Sequence, residues 1–305
     1  MKISVALCTY NGEKYIAEQI RSIVSQTKSV HEIIISDDGS TDSTIAIINK
    51  LQENYPYIKL YKNTKTLNIV KNFEKAINLC SGDLIFLSDQ DDIWFSDKVS
   101  KLVTFFQQNP EKEAVFHNLQ FFPKEKFHNT TFQHYLFPLC EEEELLKHII
   151  LRGNVVTGAA LAFRNKGKLL FENSTTFLHD NQLALHFAMR KKLGPVNEVL
   201  GYYRIHDKQQ IGSGLKFDPF QEKLKILFDE GNFYSKMSYL EKVYHSNTTN
   251  YPLIDISEIK NIIKLEMMVE RNSYLSSLSY LNKKWNLLKW YLKGKYFTKL
   301  TDLIN

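Results

Sequence analysis

The chain has 305 residues, 43% of them hydrophobic and 24% charged, a composition that excludes the disordered and fibrous classes. Its net charge of +5 is too small for a protein dedicated to nucleic acid, whose surface is normally much richer in Lys and Arg. No stretch approaches the roughly 18 consecutive apolar residues of a membrane span, and the N-terminus lacks a signal-peptide pattern. The three cysteines are odd in number and not in metal spacing, so we expect a cytoplasmic protein.

Short apolar strands alternate with helical stretches in the first part of the chain. The predicted strands are Ile3–Cys8, Glu32–Asp37, Ile58–Lys62 and Leu84–Ser88, and the predicted helices between them are Glu13–Thr27, Ser40–Asn54 and Val70–Leu79. The run Ile33-Ile34-Ile35 is typical of a strand that is buried on both faces. Repeated strand–helix units with short loops predict an α/β fold, with a mostly parallel sheet and helices on both faces.

The middle of the chain is less regular, and its end is helical. It contains predicted strands at Ala114–Phe121 and Val196–Tyr203 and predicted helices at Glu141–Leu151 and Asp180–Lys192. From about Leu215 the strand–helix alternation stops, and the pattern is rich in Leu, Ile, Tyr and Lys. We therefore place a boundary near Gly212–Gly214, which predicts an α/β domain over 1–214 and a helical region over 215–305.

Polar and acidic residues follow three of the predicted strands. They are Thr9–Gly12, Asp37–Asp42 and Asp89–Asp92. Because ligands bind at the carboxyl ends of strands in open α/β sheets, these segments predict a binding site. Neither Gly-x-Gly-x-x-Gly nor a P-loop motif is present, which disfavours dinucleotide and P-loop sites. Carboxylates are ligands for Mg²⁺ or Mn²⁺ bound to phosphates, although a single such loop is also compatible with helix capping.

Five ordered motifs in residues 1–100 resemble those of inverting family 2 glycosyltransferases with the GT-A fold. The motifs are Thr9-Tyr10-Asn11-Gly12, Gln19–Thr27, Asp37–Asp42, Asn68–Phe73 and Ser88–Trp94. The Lys-Asn-Phe and Ser-Asp-Gln-Asp-Asp variants are similar to bacterial rhamnosyltransferase-like members that build cell-wall, capsule or O-antigen polysaccharide. The resemblance implies that the GT-A domain, 1–214, transfers a sugar from a UDP- or dTDP-sugar (dTDP-rhamnose or a UDP-hexose) to a hydroxyl of a growing, lipid-linked glycan.

The resemblance also implies roles on the nucleotide side of the site. Thr9 and Asn11 would border the nucleotide. Asp38 would accept a hydrogen bond from the N–H of uracil or thymine, and Lys71 and Asn72 would lie near the nucleotide or the diphosphate.

A second group of residues would surround the metal and the diphosphate. Asp89 would approach the ribose and Asp91 would hold Mn²⁺ or Mg²⁺, with Asp92 beside them. Arg204 and His206 match the family's Tyr-Arg-x-His segment. His206 would ligate the metal or contact the diphosphate, and Arg204 would add positive charge, although a histidine at this place is also compatible with a structural role. A metal here would stabilise the charge of the departing diphosphate.

Inverting transfer further requires a carboxylate that takes the proton of the acceptor hydroxyl. The family supplies it from a Glu-Asp or similar pair at a helix start, and His179-Asp180 fills that place here. Asp180 is therefore the expected catalytic base, with capping of its helix as the alternative. His179 replaces the usual Glu, which leaves its role open. Gly158 resembles a family position on the acceptor side, although a small residue also permits close packing.

Two other functions compete with glycosyl transfer. A sugar nucleotidyltransferase of the same fold usually needs a Gly-rich basic loop after the first strand, which Thr9–Lys14 does not provide. A catalytically inactive glycan-binding or assembly subunit is disfavoured by the intact Asp38, Asp89, Asp91 and Asp180. The processive Gln-x-x-Arg-Trp signature is absent, which favours transfer of one sugar or a few. The sequence is also compatible with a homodimer.

The basic charge is concentrated at the end of the sequence. Residues 283–305 contain six lysines and one aspartate, an excess equal to the +5 of the whole chain. Trp285, Trp290 and Tyr291 are interleaved with these lysines. This pattern is typical of a basic amphipathic helix on an anionic membrane, here the inner face of the plasma membrane, and equally of a terminal helix packed on the domain.

Overall fold

The computed structural model describes residues 1–135, 137–139, 142–151, 154–171 and 178–206. The chain divides into two compact units, Met1–Leu146 with Asn154–Lys216, and Lys147–Gly153 with Phe217–Asn305. The sheet and the described candidate site residues belong to the first unit. The predicted helical region 215–305, with its basic segment 283–305, lies outside the described residues, so the proposed boundary stays a prediction.

The described residues form eight strands and seven helices. The strands are β1 (Ile3–Thr9), β2 (Glu32–Asp37), β3 (Ile58–Lys62), β4 (Leu84–Ser88), β5 (Ile93–Trp94), β6 (Ala114–Phe122), β7 (Leu161–Arg164) and β8 (Leu193–Arg204). The helices are α1 (Ile16–Val24), α2 (Thr44–Asn54), α3 (Asn68–Leu79), α4 (Lys98–Gln108), α5 (Thr131–His134), α6 (Glu142–Leu151) and α7 (His179–Met189). Gly158–Ala160 forms a single 3₁₀ turn before β7. None of the described helices is long and apolar enough to cross a membrane.

All eight strands belong to one sheet, in the order β3-β2-β1-β4-β7-β6-β8-β5. Strands β3, β2, β1 and β4 are parallel, and β6 is parallel to β8. Strand β7 is antiparallel to both β4 and β6, and β5 is antiparallel to β8. The sequence did not predict β7 as a strand, because its four residues continue the small apolar run that precedes them.

The hydrophobic core follows the predicted periodicity. Every residue of β2 is buried, including the three consecutive isoleucines. Helix α1 buries Ile16, Ile20 and Ile23 in the same hydrophobic cluster as the strand residues. None of the three side chains has exposed surface. Full burial of such a side chain contributes about 1.5–3 kcal/mol relative to exposure. The spacing of the apolar residues therefore fixes which face of the helix packs inward.

The register of the sheet brings the predicted polar motifs to one edge. Thr9 pairs with Asp37, and Leu7 pairs with Ser88, so β1, β2 and β4 end side by side. We call this side of the sheet the carboxyl edge. At the opposite side Ser4 pairs with Glu32 near the starts of β1 and β2, and we call this side the amino edge.

Candidate active site

The acidic loop Asp89–Asp92, which follows β4, is joined to the end of β8. The Asp91 Oδ2 atom lies 2.8 Å from His206 Nε2. Arg204 Nε donates to the Asp91 carbonyl at 2.7 Å, and the Arg204 backbone N–H donates to Asp92 Oδ1 at 3.0 Å. The structure thus brings together four predicted site residues that come from two distant parts of the sequence.

The Arg204 guanidinium is enclosed by neighbours. Its Nη2 donates to a Glu18 carboxylate oxygen at 2.6 Å. The guanidinium also lies over the Tyr15 and Phe122 rings, 4.8 and 4.9 Å from their centroids. The His206 ring packs on the same Tyr15 ring, with centroids 4.7 Å apart. These contacts make Arg204 a support for the acidic loop, and its predicted contact with the diphosphate stays a prediction.

The carboxylates of the loop repel one another in a buried setting. Burial, followed by the charges of Asp91 and Asp180, raises the pKa of Asp89 to about 7. Burial and the charges of Asp91 and Asp89 raise the pKa of Asp92 well above its ordinary value. Asp92 is only 2% exposed, and its Oδ2 atom accepts no hydrogen bond from the described residues. Such a group favours a neighbouring cation or a proton.

A buried lysine that the sequence reasoning missed lies close to this loop. Lys98 begins α4 and is 1% exposed. Its Nζ atom donates to the Ala159 carbonyl at 2.7 Å and lies 3.9 Å from the centroid of the Trp94 ring. Burial lowers its pKa to about 7, although the charges of Asp92 and Asp89 oppose that shift. A lysine at the start of a helix is ordinarily exposed, so no sequence signal marked this one as buried.

The donor atoms of the loop fit a divalent metal. Among the described residues, no three His, Cys, Asp or Glu side chains converge on one point as a complete ion site. Asp91 and His206 nevertheless form a close pair, and the free Oδ2 of Asp92 lies in the same loop. Mg²⁺ and its relatives are commonly bound by one or two carboxylates together with substrate phosphates. A small protein donor set therefore suits an ion that shares its coordination with a diphosphate.

Asp180 lies in the first turn of α7. Its Oδ2 atom accepts the Gly158 backbone N–H at 3.2 Å, and its Oδ1 atom accepts the Asn181 N–H at 2.7 Å. Burial raises its pKa to about 6, and these two hydrogen bonds limit the increase. The helix begins at His179 and its N-cap residue is Leu178, while Asp180 accepts an amide of the first turn. The roles of Asp180 as base and in capping both stay predictions.

His179 packs in the interior behind Asp180. Its ring stacks on Phe73 with centroids 3.7 Å apart, and only 4% of its surface is exposed. Neither ring nitrogen has a hydrogen-bond partner among the described residues, and burial lowers its pKa to about 3. A Cβ at Gly158 would come within 2.9 Å of His179 Nε2, so only glycine fits there without a shift. The predicted acceptor-side roles of Gly158 and His179 stay predictions.

Asp38 organises the loop that leads into α3. Its Oδ1 atom accepts the Asn63 side-chain N–H at 2.9 Å and the Leu67 backbone N–H at 2.7 Å. Its Oδ2 atom accepts the Asn68 backbone N–H at 3.1 Å. The buried Asn72 accepts a second hydrogen bond from the same Asn63 amide, at 2.9 Å. Asp38 and Asn72, both predicted to serve the nucleotide, thus share one polar network.

Gln90, the middle residue of Asp-Gln-Asp, clamps the loop after β1. Its Oε1 atom accepts from Thr9 Oγ1 at 2.7 Å and from the Tyr10 N–H at 2.9 Å, and its Nε2 atom donates to the Tyr10 carbonyl at 3.1 Å. A Cβ at Gly12 would overlap the Gln90 amide, which explains the glycine. The sequence analysis gave Gln90 no role of its own, and its position between two acids was the only available signal.

Two further predicted residues contact neighbouring segments. Asn11, at φ 48°, accepts the Thr41 backbone N–H on its Oδ1 atom at 2.8 Å, which joins the loops after β1 and β2. The Lys71 ammonium donates to the Glu74 carboxylate at 2.8 Å and to the Phe171 carbonyl at 2.6 Å. The structure therefore places Asn11 at the carboxyl edge, whereas Lys71 joins α3 to the segment before α7.

The fold and this edge agree with the family that the chain matches. The model of glycosyl transferase family 2 matches residues 4–170, which is more than half of the chain. The protein belongs to glycosyltransferase family 2.

Two relatives and two solved structures illustrate this membership. An uncharacterized glycosyltransferase of Haemophilus influenzae is 26% identical over 288 residues, which cover 91% of this chain and 84% of that protein. The dTDP-rhamnosyl transferase RfbG of Shigella flexneri is 42% identical over 102 residues, which cover 32% of this chain and 35% of that protein. The structure of S. aureus TarS 1-349 in complex with UDP-GlcNAc has a TM-score of 0.60 at 17% identity, covering 95% of this chain and 80% of that one. The structure of the mannosyltransferase PcManGT from Pyrobaculum calidifontis with GDP-Man and Mn²⁺ has a TM-score of 0.51 at 17% identity, covering 68% and 58%.

At such identities the solved structures establish the fold alone. They confirm the predicted α/β fold of the GT-A type for the part of the chain that the structure describes.

Proposed function

We propose that this protein is a metal-dependent, inverting glycosyltransferase that moves a sugar from a UDP- or dTDP-sugar to a hydroxyl of a growing cell-surface glycan. The observation that carries the proposal is the juxtaposition of two kinds of carboxylate. Asp180 accepts the Gly158 N–H at 3.2 Å, and Ala159 of the same turn accepts Lys98 Nζ at 2.7 Å. Lys98 Nζ in turn lies on the ring of Trp94, two residues after the acidic loop. A candidate base and a candidate metal-binding loop are therefore joined through one short turn.

On the donor side, the side chains at the ends of β1, β2 and β4 would bind the nucleotide diphosphate. Asp38 would receive the base, and Asp89 would approach the ribose. Asp91 and His206, already 2.8 Å apart, would hold Mn²⁺ or Mg²⁺. The bound ion would supply positive charge for the departing diphosphate. TarS with UDP-GlcNAc, RfbG with its dTDP-rhamnosyl name and PcManGT with Mn²⁺ support this choice of donor and metal.

On the acceptor side, Asp180 would act as the general base. Its carboxylate would take the proton from the acceptor hydroxyl while that oxygen bonds to the anomeric carbon, on the face opposite the departing diphosphate. A pKa near 6 leaves the carboxylate ionised at neutral pH and still basic enough to accept the proton. The Gly158 and Asn181 amides would hold the carboxylate in place and stabilise its charge.

The proposal is tested by donor turnover. The purified protein is incubated with Mn²⁺ and UDP-glucose, UDP-galactose, their N-acetyl forms or dTDP-rhamnose, with glycan acceptors, and released nucleoside diphosphate is measured. Asp180→Asn should lower transfer by about 10²- to 10⁴-fold while donor affinity is kept, since the amide preserves shape but not basicity. Asp97→Asn is the matched control, because Asp97 is an exposed acid that pairs with Lys101 on the surface of α4.

Several outcomes would contradict the proposal. Retention of the anomeric configuration in the product would exclude the inverting mechanism. Substantial transfer by Asp180→Asn would remove Asp180 as the base. Tight nucleotide binding without release from any donor and acceptor pair would favour the binding or assembly subunit, and pyrophosphate exchange with a nucleoside triphosphate would favour the nucleotidyltransferase.

The acceptor and the place of action form a further part of the proposal. We expect a lipid-linked glycan that the protein meets from the cytoplasmic side, as a peripheral protein at the inner face of the plasma membrane. The support is the basic, aromatic composition of residues 283–305. Flotation of the full chain with anionic and neutral vesicles tests this: selective binding to anionic vesicles is expected, and equal or no binding would favour a tail packed on the protein.

A further inference from the structure

Lys98 is a buried basic residue that has no role in the donor binding or the proton transfer proposed above. Removing an ammonium from water costs several kcal/mol unless its surroundings compensate. In the described part of the chain, its ammonium makes one hydrogen bond, to the Ala159 carbonyl at 2.7 Å, and lies on the Trp94 ring. Asp89 and Asp92 act on its pKa from the acidic loop without forming a contact ion pair. Its partners are therefore a carbonyl, a ring and a more distant pair of carboxylates.

These partners belong to the two halves of the candidate site. Trp94 forms β5 and comes two residues after the acidic loop. Ala159 lies in the 3₁₀ turn Gly158–Ala160, and the first amide of that turn donates to Asp180 Oδ2 at 3.2 Å. Lys98 is thus linked to Asp180 through the turn. One hydrogen bond joins Lys98 to the Ala159 carbonyl, and another joins the Gly158 amide to the Asp180 carboxylate.

We propose that Lys98 is a positioning residue of the transfer reaction: its ammonium anchors the Gly158–Ala160 turn beside the acidic loop, and the anchored turn holds the Gly158 amide against Asp180. This inference rests on the proposed function for its catalytic consequence, whereas the anchoring itself does not. A positive charge suits the place because the charges of two carboxylates favour it and because the ammonium lies on the face of the Trp94 ring.

Lys98→Met is the variant that removes the hydrogen bond, because methionine keeps the unbranched stem and lacks the ammonium. The Ala159 carbonyl would lose its donor, the turn would relax, and the Gly158 amide would hold Asp180 less well. Misplacement of a catalytic group by about 1 Å costs up to about 10²-fold in rate. We expect kcat to fall by about 10- to 100-fold and the donor KM to change by less than about threefold.

The pH profile reports on the amide contact with Asp180. The Gly158 N–H donates to Asp180 Oδ2 at 3.2 Å and favours the ionised carboxylate. Loss of this hydrogen bond would raise the pKa of Asp180, so the acid limb of kcat would move up by about one pH unit in Lys98→Met.

The closing experiment combines kinetics with hydrogen exchange on the full chain. Lys98→Met should speed exchange in the peptide that contains Gly158–Ala160, by about tenfold or more, while the peptide that contains Glu32 is unchanged. Lys98→Arg, which keeps a cationic donor, should restore most of the protection. Lys101→Met is the matched control, since Lys101 lies one turn further along α4 and pairs on the surface with Asp97 and Glu198.

Each outcome decides between positioning and another role. Unchanged exchange at Gly158–Ala160 would overturn the proposal, whether or not the protein transfers sugar. Faster exchange throughout the chain would assign Lys98 to folding in general and would also overturn it. A raised donor KM with unchanged kcat and pH profile would assign it to the acidic loop alone. Failure of the proposed function is recognised separately, by wild-type protein that turns over no donor while the exchange results hold.

Discussion

A buried glutamate at the amino edge and a buried aspartate at the carboxyl edge of the sheet have opposite surroundings. At the amino edge Glu32 is 4% exposed, and its oxygens accept from Ser4 Oγ at 2.7 Å, from the Ser81 N–H and Oγ at 2.7 and 2.8 Å, and from Lys59 Nζ at 2.8 Å. Burial by itself raises the pKa of Glu32, but the hydrogen bonds from Lys59, Ser4 and Ser81 outweigh burial and lower it to about 2. Both oxygens of this carboxylate have hydrogen-bond donors, so Glu32 has a structural role.

At the carboxyl edge, Asp92 of the acidic loop is only partly satisfied: its Oδ1 atom accepts the Arg204 N–H. Asp92 is equally buried, yet its Oδ2 atom has no donor among the described residues, and burial and like charges raise its pKa. The same sheet can evidently satisfy a buried acid, so an unsatisfied one in a group of like charges indicates a place that a ligand completes. The unsatisfied oxygen of Asp92 costs stability, as expected if the acidic loop binds the proposed metal.

The largest expected effect is at the carboxyl edge. Asp91→Asn should lower metal-supported transfer by about 10³-fold, since it removes a charged ligand from the ion that stabilises the diphosphate. The melting temperature should not fall, because the change removes one of several repelling charges. Turnover and its Mn²⁺ dependence are measured beside Asp97→Asn. A metal dependence equal to wild type would take Asp91 out of the ligand set.

The matching change at the amino edge should lower stability and leave the transfer rate unchanged. Glu32→Gln should lower the free energy of unfolding by about 2 kcal/mol at neutral pH, because hydrogen bonds to a charged group are weakened. The transfer rate of the folded protein should stay at the wild-type value. Urea unfolding and turnover on the same samples measure both. Lost activity with intact stability would break the division between the edges.

The difference in stability between the wild type and Glu32→Gln should depend on pH with a definite sign. The pKa of Glu32 is lowered from 4.5 to about 2 in the folded protein, so its ionised form adds stability above about pH 4.5. That contribution should decline as the pH falls from 4.5 towards 2. The wild type and Glu32→Gln should therefore converge in stability over this interval. A gap that stays constant in acid would mean that the hydrogen bonds to Glu32 do not depend on its charge.

A smaller effect is expected from the pH profile of the wild type. Because Asp180 must be ionised to accept a proton and its pKa is raised to about 6, kcat should fall about tenfold between pH 7 and pH 5. The measurement is kcat at saturating donor and acceptor over this range, with UDP binding followed in parallel. A flat acid limb, at constant nucleotide affinity, would argue against Asp180 as the base.

The smallest expected effect concerns the Gln90 clamp. Gly12→Ala places a Cβ against the Gln90 amide, which is tied to Thr9 and Tyr10, and should raise the donor KM about three- to tenfold. Gln90→Ala should also raise the KM, and the double variant should be less impaired than the product of the two changes. Independent, multiplicative effects would show that the two residues do not act on one another.

Apolar periodicity made most of the fold predictable. The isoleucines of β2 and α1 lie where their spacing placed them, and the acids meet because parallel strands end together. The short strand β7 was missed, since four residues carry too little pattern. Lys98 and Gln90 were also missed, because their importance depends on partners that are distant in sequence: Ala159 is 61 residues from Lys98, and Thr9 is 81 from Gln90. One sequence does not reveal which polar side chain will be enclosed by another segment.

The join between Asp91 and the end of β8 has a consequence for how the site arises. Asp91 and His206 are 115 residues apart, so their pairing requires a long stretch of chain to close and costs more chain entropy than a local contact. A partly folded chain could contain the acidic loop and still lack the second member of the pair. The proposed nucleotide and metal would then bind only the fully folded protein. Such binding would raise the free energy of unfolding, so the amount of folded protein would increase with the concentration of its donor.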